Sequence, residues 1–204
     1  MAPKRKVKSS KPKSSSRLWL AIVLIALLII SVGVYFALAN KPATSISPTT
    51  VLLQTSAGDI TIDLRTDKPI TSTNFINLVK EGKYDGTTFY RTISDFMIQG
   101  GQVSGNVATI KDEIGSENRN LPYTVAMAKT SQPNSATSEF FINVQDNGQY
   151  PNFDSTYTVF GTVTSGKDVV DAIANAPVTE NPNIPGEMSV PVNLVTIIKA
   201  SIIS

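Results

Sequence analysis

Hydrophobic residues fall along this chain in two patterns, one unbroken run near the start and then many short runs alternating with polar residues. The unbroken run, residues 18–38, holds 21 residues without a charge and is rich in Leu, Ile and Val. At about 1.5 Å of rise per helical residue it is long enough to cross a hydrocarbon layer of roughly 30 Å. The short runs begin at Val51. Residues 51–55 and 59–64 flank Ser56-Ala57-Gly58 and predict an opening β-hairpin. Phe75, Ile76 and Val79 then recur at helical spacing, preceded by Thr71-Ser72-Thr73 and followed by Gly82, which predicts a helix of about ten residues. A second helical pattern covers residues 167–174 after Gly166, with Val169, Val170 and Ile173 on one face. The other runs, 87–93, 96–99, 123–129, 139–144, 158–163 and 192–200, are short and bounded by turn residues, as strands of a sandwich or barrel are. Pattern alone therefore predicts a mainly β, closed structure with two helices.

Charge divides the chain at the same places. Residues 1–17 carry seven Lys or Arg and no acid, so they read as a basic cytoplasmic tail. Residues 18–39 read as a transmembrane helix or signal anchor, with Trp19 and Tyr35 suited to the two interfaces. Ala37-Leu38-Ala39 is also a small-residue pattern that a signal peptidase could cut before Asn40, releasing the domain as a secreted protein. The length of the apolar run favours the uncleaved single-pass anchor, with the domain outside the cytoplasm. Residues 40–50, with Pro42, Pro48 and several Ser and Thr, form a linker, and residues 51–204 one domain. Taking the seven tail cations from the 18 basic residues leaves 11 against 16 acidic ones, a net of about −5 that disfavours polyanions. The basic run Pro3-Lys4-Arg5-Lys6 next to an apolar span serves orientation and lipid contact, so no nucleic acid partner is expected. Cysteine and histidine are absent. Thiol nucleophiles, Ser-His-Asp triads and the common zinc sites are excluded by inventory, and no metal or other cofactor is expected.

One segment places a cation among large apolar side chains and an amide: Phe89-Tyr90-Arg91-Thr92-Ile93-Ser94-Asp95-Phe96-Met97-Ile98-Gln99-Gly100-Gly101. Strand alternation puts Met97 and Gln99 on one face and likewise Glu139 and Phe141, leaving Ile98 and Phe140 for a core. Aromatic and Met residues at strand spacing are commonly core, but a core has no use for Arg91 in their midst. Together with Phe140-Phe141-Ile142-Asn143 and Tyr157-Thr158-Val159-Phe160-Gly161, the segment closely resembles the cyclophilin-type peptidyl-prolyl cis-trans isomerases, over residues 51–198. The resemblance implies an eight-stranded antiparallel barrel capped by two helices, with the functional groove outside the barrel. It implies that Arg91 is catalytic and that Phe96, Met97, Phe141 and Phe153 seat a proline ring. It also implies that Gln99 bonds the substrate backbone, while Ala128, Glu139 and Tyr157 complete the peptide site.

The implied activity is isomerisation of prolyl bonds in exported proteins, on proline-containing peptides or unfolded chains, by a monomeric domain. A catalytically weak binding module, acting as chaperone or scaffold, is the alternative, and an adhesive β-domain a third reading. Several residues depart from the family. Glu139 stands where Gln is usual and is expected to pair with Arg91 or to alter peptide preference, giving a slower isomerase. Asn152 replaces a frequent Trp, implying weaker cyclosporin binding, and Tyr157 replaces a His. Gln102 stands where Asp is usual, and residues 103–108 form a shorter loop, which alters the outer pocket.

Overall fold

The computed structural model describes residues 46–204. The basic tail, the expected membrane span and residues 40–45 of the linker lie outside the described residues. Among the described residues no helix is long and apolar enough to cross a membrane. Val51 and Leu53 of β1 (Thr49–Thr55) and Ile60, Ile62 and Leu64 of β2 (Gly58–Leu64) are buried at every second position, so each strand turns one apolar row inward. The barrel is completed by β3 (Thr88–Ile93), β4 (Met97–Gly100), β5 (Thr124–Met127), β6 (Phe140–Asn143), β7 (Val159–Ser165) and β10 (Val195–Ile202), of which β5 and β6 are buried at every position, so that both of their faces are covered. These eight strands close in the order β1-β10-β3-β4-β6-β5-β7-β2 with every neighbouring pair antiparallel. Closure leaves the barrel without a free edge.

Helix α1 (Pro69–Lys80) begins before the Thr71-Ser72-Thr73 that the pattern placed ahead of it, and Thr71 and Ser72 are buried inside it. Lys68, at the N-cap, makes no side-chain capping bond. Glu113, more than 40 residues away, supplies the cap: its carboxylate accepts from the backbone N–H of Ile70 (3.1 Å) and Thr71 (2.8 Å) and from the Thr71 hydroxyl (2.8 Å). Pro69 sets the backbone angle of the first turn without needing a partner for the N–H it lacks. The helix turns Phe75, Leu78 and Val79 into the core. There the Phe75 ring lies 4.9 Å from Tyr84, 5.5 Å from Phe140 and 5.1 Å from Phe160, centroid to centroid.

Helix α2 (Lys167–Ala174) matches its sequence expectation and buries Val170, Ile173 and Ala174. Gly166 ahead of it has φ of +82°, and a Cβ there would lie 2.1 Å from the Asp59 carbonyl oxygen. Only glycine lets the helix start that close to β2. Strands β8 (Val178–Glu180) and β9 (Met188–Pro191) form a separate two-stranded hairpin that the sequence pattern did not disclose. Pro177, Pro182, Pro185, Gly186 and Pro191 punctuate that stretch, so two strands this short are masked by turn signals.

Because the α1 cap is tertiary, Glu113→Ala is expected to destabilise the domain by about 1–2 kcal/mol. In a thermal melt this appears as a Tm lower by roughly 2–8 °C. An unchanged Tm would show that the Glu113 bonds contribute nothing net.

Candidate active site

The buried apolar residues form two clusters. The larger fills the barrel and includes Ile98, Val125, Met127, Phe140, Ile142 and Phe160. The smaller consists of Met97, Ala126, Phe141 and Val159, with Ile93, Phe96, Ala128, Phe153 and Tyr157 packed on it. The two clusters draw on alternate residues of β4, β5 and β6, so the second lies on the outward face of the same strands. A groove of about 460 Å³ opens over it. Arg91, Phe96, Met97 and Gln99 line this groove from the β3–β4 side. Ala128 and Phe141 line it from β5 and β6, and Phe153 and Tyr157 form a wall beyond them. The rings of Phe153 and Tyr157 stand 4.7 Å apart, and Phe141 meets them edge-on at 5.9 and 5.3 Å.

A bulge in β3 puts Arg91 in place. Phe89 pairs with Gly100 and Arg91 with Gln99, so the register slips by one residue at Tyr90. In a regular strand Phe89 and Arg91 would share a face. The extra residue lets Phe89 enter the core at 0% exposure while Arg91 faces outward to the groove. Tyr90 turns outward as well, and its phenol donates to the Glu139 carboxylate. Burial, then the bond to Glu139, push the Tyr90 phenol well above its ordinary pKa, so it remains a donor.

Arg91 is not paired with Glu139. Its Nε and Nη2 donate to Oε1 and Oε2 of Glu187 at 2.8 and 2.7 Å, a two-pronged ion pair with the turn of the β8–β9 hairpin. Its Nη1 points to Gln99 Oε1 at 3.4 Å and Met97 Sδ at 3.8 Å, contacts long enough to leave donor capacity free. The Arg91 bonds outweigh partial burial and hold the Glu187 carboxyl at about 2, well below the usual carboxylate range. Glu139 does not line the groove. Its carboxylate accepts from Tyr90 and from Gln99 Nε2 at 3.0 Å. With both Glu139 and the Tyr90 oxygen taking the amide nitrogen of Gln99, the amide oxygen is the end left facing Arg91. The expected Glu139–Arg91 pair is thus not formed: both oxygens of Glu187 engage the guanidinium, and Tyr90 and Gln99 engage Glu139.

Buried asparagines hold the aromatic wall. Asn118 donates to the backbone carbonyls of Asp154 (2.6 Å) and Tyr157 (2.8 Å) and accepts from the Val159 N–H (2.9 Å). Asn147 donates to the Phe96 carbonyl at 2.8 Å and to Asn143 at 2.7 Å, tying the Phe96 turn to β6. Asn152 is exposed with φ of +62°, a left-handed conformation that asparagine accepts more readily than a bulky aromatic. It does not line the groove.

Sequence reading missed Tyr90, Lys129, Asn181, Asn183 and Ile184 in the lining and Glu187 behind Arg91. Alternation gives no sign of the bulge at Tyr90. Residues 181–187 read as loop, and nothing local marks Glu187 as a partner for a side chain 96 positions earlier.

A family model described as cyclophilin type peptidyl-prolyl cis-trans isomerase/CLD matches residues 50–202. The chain is 46% identical over 166 residues to the peptidyl-prolyl cis-trans isomerase cyp18 of Streptomyces antibioticus, covering 76% of this chain and 98% of that protein. It is 42% identical over 167 residues to a peptidyl-prolyl cis-trans isomerase of Acinetobacter baylyi, covering 76% and 87%. Among solved structures, a Cryptosporidium parvum cyclophilin type isomerase superposes with a TM-score of 0.67 at 25% identity, covering 78% of this chain and 99% of that one. The same protein in the presence of the dipeptide Ala-Pro gives 0.65 at 26%, covering 76% and 99%. An outward groove on a closed barrel, matched nearly end to end by these relatives, makes this chain a member of the cyclophilin-type peptidyl-prolyl cis-trans isomerases.

Proposed function

We propose that Arg91 is the group that accelerates prolyl isomerisation in this enzyme. Rotation about an X-Pro bond breaks amide resonance, with a barrier of about 20 kcal/mol, and requires no covalent intermediate. In the twisted state the prolyl nitrogen regains its lone pair, so a donor aimed at that nitrogen favours the twisted amide over the planar one. The observation that carries the reading is Nη1 of Arg91, held only by long contacts to Gln99 and Met97, at the rim of an apolar cluster detached from the barrel core. A guanidinium keeps its proton throughout, so it donates without acid–base chemistry.

In this reading Phe96, Met97, Phe141 and Phe153 seat the proline ring, and Gln99 meets the substrate backbone. Ala128 and Tyr157 bound the peptide on the two sides, and a proline dipeptide of the Ala-Pro kind is the minimal ligand. Glu139 acts indirectly by fixing which end of the Gln99 amide faces the groove. It does not dilute the Arg91 charge through direct pairing. The substrates are proline-containing segments of unfolded proteins outside the cytoplasm, with the domain tethered by the apolar span over residues 18–39. The uncharged 21-residue run behind seven cations supports that placement.

Arg91→Ala is expected to lower kcat for an Ala-Pro peptide by roughly 100- to 1000-fold, while equilibrium binding of the peptide changes only a few-fold. NMR exchange between cis and trans peptide checks both; a variant that still turns over at the wild-type rate refutes the role. Glu139→Gln is expected to change kcat by only about two- to threefold, since an amide oxygen still accepts from Gln99 or Tyr90. A change of the size given by Arg91→Ala would place Glu139 in the reaction itself. For the tether, the full chain is expected in the membrane fraction with its domain open to external protease; recovery in the soluble fraction after removal of residues 1–39 would indicate the cleaved form.

A further inference from the structure

The β8–β9 hairpin stands outside the barrel, yet it reaches the groove at one charged point. We propose that Glu187 is a positioning residue for the isomerase reaction, fixing the Arg91 guanidinium so that Nη1 is the donor presented to the peptide. The inference rests on the reading of Arg91 given above and deepens it.

An arginine side chain has several freely rotating bonds, and holding it in one pose costs rotamer entropy that the enzyme must meet before the reaction begins. A single hydrogen bond would leave the guanidinium free to pivot. Two parallel bonds, from Nε and Nη2 to the two oxygens of one carboxylate, fix both the position and the plane of the group. Of the three guanidinium nitrogens, only Nη1 then remains outside the pair, and it is the one beside Met97 and Gln99.

The carboxylate is itself held. The Ser189 hydroxyl, fully buried, donates to Glu187 Oε1 at 2.6 Å, and Asn181 Nδ2 donates to the Ser189 oxygen at 3.1 Å. The Asn181 N–H bonds the Glu187 carbonyl at 2.7 Å, closing the hairpin turn. A chain of bonds therefore runs from the hairpin backbone to Arg91, as a site built for a fixed donor requires. The opposing effect is that a carboxylate weakens the positive field of the arginine. Donation to the prolyl nitrogen depends on contact geometry at hydrogen-bond range, and Nη1 is held only by the long contacts to Gln99 and Met97 that a peptide can replace, so orientation outweighs the loss of field. Asn181, Asn183 and Ile184 of the same hairpin also line the groove, so the hairpin both walls the peptide site and sets the donor.

The test uses Glu187→Gln, which keeps size and one acceptor but breaks the two-oxygen pair. It is compared with wild type and Arg91→Ala in cis-trans exchange of an Ala-Pro peptide, with the Arg91 Nε–H signal followed by 15N NMR. Expected are a kcat lower by roughly tenfold, a KM within about twofold of wild type, and an Arg91 Nε–H that exchanges faster with water while hairpin amides keep their shifts. A kcat at or above wild type, while Arg91→Ala is inactive, overturns the positioning role and leaves the reading of Arg91 intact. A loss confined to KM, displaced hairpin amides or failure to fold would mean that Glu187 serves the wall or the fold, which also overturns it. Full activity in Arg91→Ala sinks the underlying reading instead.

Discussion

A closed barrel has an inside that takes every second side chain, and the residues between them must face outward. On most of this barrel they are polar. On β4, β5, β6 and the start of β7 they are Met97, Ala126, Phe141 and Val159, which bury themselves against Phe96, Phe153 and Tyr157 in a cluster separate from the core. The whole site depends on this second cluster. It supplies an apolar seat on the outer surface of strands that the core already holds rigid, so the seat needs no moving part to form.

Polar side chains do the work of bringing distant segments to that seat. Glu113 caps α1 from a loop, Asn118 binds the backbone of the Phe153–Tyr157 wall, and Asn147 binds the Phe96 carbonyl. Each satisfies backbone groups that would otherwise be buried without partners, so the loops are fixed by necessity of hydrogen bonding as well as by packing. Arg91 and Glu187 continue the same logic at the groove. Their pair joins the barrel to the hairpin that lies outside it, and it leaves one nitrogen of the guanidinium for the ligand.

Much of this was legible in the chain because it is local. The alternation of Ile98 with Met97 and Gln99, and of Phe140 with Glu139 and Phe141, separates core from outer face by the period of a strand. The glycine that ends α1 and the glycine that begins α2 both stand where the pattern put them. What could not be read there are contacts between segments far apart: the start of α1 at Pro69, the partner of Arg91, and the hairpin hidden among prolines.

The amino-acid sequence by itself determined the eight barrel strands, the two helices and the family, since each depends on periodicity and on motifs contiguous in the chain. Tertiary structure alone decided which carboxylate holds Arg91. Glu139 lies two residues from Phe141 and looked the nearer partner, yet Tyr90 and Gln99 engage it, while Glu187 arrives from 96 positions away with both oxygens aligned. The physical reason is a single extra residue in β3. The bulge turns Tyr90 toward Glu139 and Arg91 toward Glu187, and a change of register leaves no mark in a pattern of hydrophobic and polar positions.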